Sequence, residues 1–174
     1  YIDAHRKGVE MANQLYRVRL GQKPDVVISS TYPLDHDMNQ AIKAVEPAVP
    51  VIADGGSLLL LAPCFDGLGY HALYEPDVVG TTEFLDAEKE YLSSFLNKAD
   101  FTFYTNNKGV TKDLFYGDKS FYVQGVVLTH SLDVAINRLA KKHHDQVSVA
   151  VLLCGPLTIP YVAIDRENIN ECIS

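Results

Sequence analysis

The sequence contains no tryptophan, two methionines and three cysteines in 174 residues. Three cysteines are too few, and odd in number, for a disulfide scaffold. They lie far apart, so none has zinc-ligand spacing with another. Positive charge is also scarce: 15 Lys+Arg stand against 22 Asp+Glu, a formal net charge of −7. That balance opposes a dedicated nucleic-acid binder and requires any bound anion to be held by a local positive group. The longest apolar run, Leu58 to Pro63, is far short of a membrane span. No signal peptide is visible, so the chain is expected in the cytoplasm. There is no internal repeat, low-complexity stretch, Walker loop or Gly-x-Ser-x-Gly elbow. His5, His36, His71, His130, His143 and His144 form no HxxxH or HExxH pair. His143-His144 reads as a helix-end cation.

What is present is ordinary globular material, 47% apolar and 21% charged. A chain of this length folds as one domain and buries about 70% of its extended surface without a staple. It begins at Tyr1 rather than Met, in what reads as a helix entry, which suggests a piece of something longer. Ile2, His5, Val9, Ala12, Tyr16 and Leu20 recur at helical spacing, predicting a helix over residues 3–19, stopped by Gly21 and Pro24. Strands are predicted at 25–30, 57–62, 101–105, 121–125 and 147–153, each short and apolar. Helices are predicted at 37–49, after Thr81 or Thr82, at 108–116, and after Ser131 with Leu132, Ala135, Ile136 and Leu139 inward. Residues 162–174 receive no assignment. Strands alternating with helices predict a three-layer α/β/α fold, Rossmann-like, with a mostly parallel sheet of about five strands.

Ligands of such sheets bind beyond the carboxyl ends of the strands, which directs attention to three loops. The first, Ser29 to Lys43, runs from a strand into a helix start that Asp35 or Asp37 can cap. Gln40 and Lys43 share one helix face, and with the free amides at the helix N-terminus they form a site for a carboxylate or phosphate. A capped surface helix with a solvated lysine has the same spacing. The second, Cys64 to His71, holds Gly67 and Gly69, which permit close backbone approach. Ala72 stands where a dinucleotide fingerprint needs its third glycine, so no such cofactor site is assigned. Cys64 is expected to be a buried, inert thiol. The third, Cys154 to Pro160, reads as structural punctuation.

Taken in order, these segments resemble the C-terminal domain of the nickel-dependent lactate racemase family. The carriers are Tyr32-Pro33-Leu34-Asp35, Gln40 to Lys43, Gly55-Gly56, the Cys64 to Gly69 loop, the opening Ala4-His5-Arg6 segment and the closing VLLCGPLTIP. The similarity spans roughly residues 2–160 and is densest at 25–69. The resemblance implies a substrate-binding, cleft-closing domain of a racemase or epimerase for 2-hydroxy acids. It also implies hydride transfer at C2 through a nickel pincer nucleotide, with two histidines exchanging the hydroxyl proton. Metal, cofactor and acid–base groups would belong to an N-terminal domain of the same chain, leaving none expected here and the fragment inactive alone. Lys43, Gln40, Asn39 and Tyr32 are the implied substrate-binding residues, and Cys64, Gly67 and Gly69 the loop near the cleft. Asn39 stands where lactate-specific members usually carry an aromatic, and the chain lacks tryptophan. Both point to a larger or more polar 2-hydroxy acid. The competing expectation is a non-catalytic anion-binding or regulatory α/β module.

Overall fold

The computed structural model describes residues 1–69, 81–144 and 146–163. It opens with helix α1 (Ile2–Tyr16), which passes directly into strand β1 (Arg17–Leu20). The helix expected over 3–19 therefore ends early. Arg17–Leu20 pairs in parallel with a distant strand, residues 159–162, and the Arg17 guanidinium lies 4.1 Å from the Tyr161 ring centroid. A long-range partner thus overrides a local helical preference.

The runs of β-branched residues and leucine become β2 (Val26–Ser30) and β3 (Ser57–Leu61). They are followed by β4 (Asp100–Tyr104), β5 (Val127–Thr129), β6 (Val149–Leu152) and β7 (Ile159–Val162). The main sheet is parallel throughout, in the order β5-β4-β3-β2-β6, as the sequence predicts for about five strands. Its register brings Ser30, Leu61 and Tyr104 level at one carboxyl edge. Val27, Leu58, Leu60, Phe101 and Phe103 point to one face, against Leu85, Leu92 and Phe95 of α3 (Thr81–Leu96) and Phe115 of α4 (Lys112–Phe115). The opposite face carries a smaller cluster, Val26 and Leu59 beneath Ala135 and Leu139 of α5 (Leu132–Lys142). Ser131 caps α5 as expected, accepting from the Val134 amide, whereas Leu132 and Ile136 stay exposed.

Two further expectations are corrected. The helix predicted at 37–49 shrinks to α2 (Met38–Ala41), continued by a 3-10 turn at Ile42–Ala44. Pro47 and Pro50 have no amide hydrogen, so the i→i−4 ladder cannot continue through them. The strand predicted at 121–125 does not form. Phe121 and Tyr122 are consecutive, yet both are buried in the same core cluster, which strand alternation forbids. β5 starts only after Gly125, whose φ is +109°. Among the described residues no helix is long and apolar enough to cross a membrane. His71, Ala72 and residues 164–174 lie outside the described residues, as do the side chains of Thr81 and Thr82.

Candidate functional site

The loops after β2 and β3 are laced together along the carboxyl edge. The Cys64 amide donates to the Asp35 carbonyl (2.9 Å), Asp66 N to His36 O (2.8 Å), and Met38 N to Gly67 O (2.9 Å). The Asn39 side-chain amide completes the series by donating to Leu68 O at 2.6 Å. Gly67 and Gly69 both have positive φ, +65° and +78°. A Cβ on Gly69 would run into the Asp37 side chain. Gly69→Ala therefore meets a left-handed backbone penalty of about 1–2 kcal/mol together with displacement of the carboxylate that caps α2. A fall in the urea midpoint, with a weaker effect from Gly67→Ala, whose Cβ would meet only Leu114 Cδ2 at 3.9 Å, is the expected result.

The cap itself is Asp37, whose Oδ1 accepts from the Gln40 amide at 2.7 Å. This settles the choice between Asp35 and Asp37 and corrects part of the anion-site reading. Met38 N and Gln40 N are already taken, by Gly67 O and by a carboxylate, and α2 has only four residues. What remains for an anion is side-chain chemistry. Lys43 Nζ donates to Gln40 Oε1 at 2.7 Å, on an exposed surface. With its oxygen turned toward the ammonium, Gln40 presents its NH₂ outward, so the pair offers donors and a positive charge together. That is the complement of a carboxylate.

The other expected residues fall in different environments. Tyr32 is exposed just past the carboxyl end of β2 and precedes a cis proline. Asn39 is only 4% exposed, and its Oδ1 is buried without a hydrogen-bond partner. It therefore ties loop to helix rather than facing solution. Asp35 lines a small cavity of about 170 Å³ with Ser30, Tyr104 and Asn106. Cys64 is fully buried at φ +52°. Burial, with help from the nearby Asp37 and Asp35 charges, pushes its thiol from an ordinary 9.0 up to about 12. This is the inert thiol the sequence suggests. Because the folded state holds this proton more tightly than the unfolded chain, the stability it contributes is intact below about pH 8.5 and declines as pH rises toward 12. Urea midpoints between pH 8 and 11 should fall more steeply for the native protein than for Cys64→Ala; parallel slopes would contradict this.

Several structural partners of the site carry no motif in the sequence. Asn107 Nδ2 donates to Cys64 O (2.6 Å) while its Oδ1 accepts from Gly109 N (2.8 Å). Thr105 Oγ1 donates to Pro63 O, and His130 Nδ1 lies 3.0 Å from Thr105 O. Tyr122 reaches from the core to donate to Met38 O at 3.0 Å. The third loop also belongs to the assembly. A Cβ on Gly155 would strike Ser29 Oγ and approach Ser30 O (2.7 Å) and Ala44 Cβ (2.9 Å). The turn at 155–157 thus fills the crevice between β2 and β6, the switch point where sheets of this type commonly admit ligands. The space left open lies farther out, at the rim where Gln40 and Lys43 stand.

This rim lies inside a segment that matches a known family model. Residues 20–98 match the lactate racemase C-terminal domain family. The racemase resemblance carried by Tyr32 to Asp35, Gln40 to Lys43 and Cys64 to Gly69 is thereby shown. Over 73 residues the chain is 34% identical to a lactate racemase from Thermoanaerobacterium thermosaccharolyticum, covering 41% of this chain and 17% of that protein. The solved lactate racemase apoprotein from the same organism shares the fold, with a TM-score of 0.64 at 20% identity. That likeness covers 91% of this chain and 40% of the other. The chain therefore spans well under half the length of the racemase it resembles.

Proposed function

We propose that this chain is the substrate-binding C-terminal domain of a racemase or epimerase acting at C2 of a 2-hydroxy acid, closing over a cleft built with an N-terminal domain of the same chain. The observation that carries this reading is the Lys43–Gln40 pair, a donor-only, positively charged spot on a rim held by three interlocked loops. It lies within the segment that matches the lactate racemase C-terminal domain. Lys43 places the substrate carboxylate by charge and Gln40 orients it by hydrogen bonding, while Tyr32 walls the same rim. Asn107, Asn39 and Tyr122 act through the backbone that carries the pair.

In this reading a nickel pincer nucleotide, held by the N-terminal domain, would supply hydride-transfer chemistry at C2. Among the described residues of this chain no three His, Cys, Asp or Glu side chains gather as a metal site. No step on that group is assigned to it. The reading places the enzyme in the cytoplasm, with lactate or a larger 2-hydroxy acid as substrate. The test takes the full-length enzyme matured with its cofactor and follows chiral interconversion of a panel of 2-hydroxy acids in heavy water. Retention of the C2 hydrogen is expected, with no turnover by the 174-residue chain alone. Washout of that hydrogen would overturn hydride transfer, no interconversion of any 2-hydroxy acid would overturn the substrate class, and turnover by this chain alone would overturn its place as one part of the enzyme.

A further inference from the structure

The cavity that Asp35 lines opens on the carboxyl edge of the sheet, on the far side of β2 from the Gln40–Lys43 pair. Ser30, Leu61 and Tyr104 are level on β2, β3 and β4, so their side chains leave the sheet on one face. That face is the α5 side, where Leu61 and Tyr104 pack against the cluster of Val26, Leu59, Ala135 and Leu139. α2 belongs to the other face, with Met38 and Ala41 in the larger core cluster. The pair and the cavity therefore flank the tip of β2, and the segment from Thr31 to Asp37 joins them. Asp35 is two residues from Asp37, the cap that holds the Gln40 amide, so their Cα atoms are within about 7.6 Å of each other. A ligand laid across the β2 tip meets both.

The lining of the cavity defines what it takes. Its floor is apolar, formed by Leu61, Ala62 and Pro63. Its volume of about 170 Å³ admits a fragment of a few heavy atoms, since one water occupies about 30 Å³. The polar groups around that floor are free to bind. Among the described residues no hydrogen bond or ion pair engages the Asp35 carboxylate, the Tyr104 hydroxyl or the Asn106 side chain. Ser30 Oγ accepts from the Tyr32 amide at 3.3 Å and keeps its own proton to donate. The set is thus one acceptor-only carboxylate among groups that both donate and accept. An ammonium brings donors alone and leaves Ser30 and Asn106 unanswered. A carboxylate brings acceptors alone and meets Asp35 as a like charge. A methyl group answers neither. A row of hydroxyls gives donors to Asp35 and acceptors to Ser30 and Asn106, and lays its C–H faces on the apolar floor.

We infer that this cavity holds the hydroxyls at C3 and beyond, so that the preferred substrate is a polyhydroxy acid, selected by Asp35 and Tyr104. The inference rests on the reading of Lys43 as the carboxylate site and adds the identity of the tail. Asp35 decides the sign of the selection, because it carries the only charge in the lining. Tyr104 adds a neutral hydrogen bond.

The experiment compares kcat/KM of the full-length, cofactor-matured enzyme on three acids of equal chain length. They are a pentanoate hydroxylated at every carbon from C2 to C5, 2-hydroxypentanoate, and 2-hydroxypentanedioate. The native enzyme is expected to prefer them in that order. In Asp35→Asn, which keeps the side-chain size, the ratio of the polyhydroxy acid to 2-hydroxypentanoate is expected to fall by about 10- to 100-fold, the effect of losing a hydrogen bond to a charged group. The ratio of the diacid to 2-hydroxypentanoate is expected to rise, because the like charge is gone. Tyr104→Phe is expected to lower the first ratio and leave the second in place. Opposite movement of the two ratios separates selection from a structural role, which would lower all three activities together. A native enzyme that does not favour the polyhydroxy acid would overturn the inference and leave the racemase reading standing. So would ratios that neither variant moves, the result expected if a side chain of the N-terminal domain fills the cavity. Interconversion of none of the three acids by the native enzyme would overturn the racemase reading, and this inference with it.

Discussion

Lys43→Ala in the full-length, cofactor-matured enzyme is expected to lower kcat/KM by roughly 30- to 1,000-fold, or about 2–4 kcal/mol, the range for losing a charged hydrogen bond once closure of the cleft over substrate removes this exposed pair from water. The size follows from what surrounds the ammonium. The backbone amides at the start of α2 are already engaged, by Gly67 O and by the Asp37 carboxylate, so they cannot replace it. The overall charge of −7 disfavours an anion elsewhere on the surface. Gln40→Ala should cost less, because it removes a neutral donor and leaves the charge. Lys43→Arg should restore part of the loss, since the charge returns with a different reach. Unchanged kcat/KM in Lys43→Ala would remove this residue from the site.

Tyr122→Ala is expected to be the most damaging single change to the fold, costing about 3–5 kcal/mol in unfolding free energy. Its ring is 1% exposed and stacks on Phe115, with centroids 4.5 Å apart at 14°. It meets Phe103 edge-on at 4.9 Å and Phe101 at 6.2 Å. Truncation empties the centre of an aromatic cluster that joins β4, α4 and the segment before β5. The hydroxyl adds a second effect, because it donates to Met38 O at the first residue of α2. Tyr122→Phe keeps the ring and strands that carbonyl, for about 1–3 kcal/mol. Denaturant midpoints of the two variants separate the terms. A Tyr122→Ala loss no larger than that of Tyr122→Phe would contradict the packing argument.

Tyr122 also shows where the sequence stops being informative. Its neighbours, Phe121 to Gly125, have the composition of a strand, and composition cannot tell a strand from a buried turn. The decision rests on two adjacent aromatics entering one cluster, a fact of packing around Phe101, Phe103 and Phe115. Asn107 and Thr105 escaped notice for a similar reason. Their role is to satisfy the carbonyls of Cys64 and Pro63, about forty residues away in the chain, and no local spacing encodes that.

The residue pattern by itself determined the alternation of strands and helices, the parallel sheet and the cap at Ser131, and it narrowed the α2 cap to Asp35 or Asp37. It also marked the Gln40–Lys43 pair, because period, capping and helix-face spacing are local properties that short-range sterics enforce. The scarcity of cysteine and of positive charge likewise narrowed the chemistry, and Cys64 is as buried as its setting implied. Tertiary structure alone decided that Arg17–Leu20 is a strand, since its partner lies at Ile159–Val162. It also turned Asn39 inward, filled the β2–β6 crevice with Gly155, and brought Asp35 and Tyr104 to one cavity. Those outcomes depend on which distant surfaces meet, and hydrophobic burial and long-range pairing settle them only once the chain has folded.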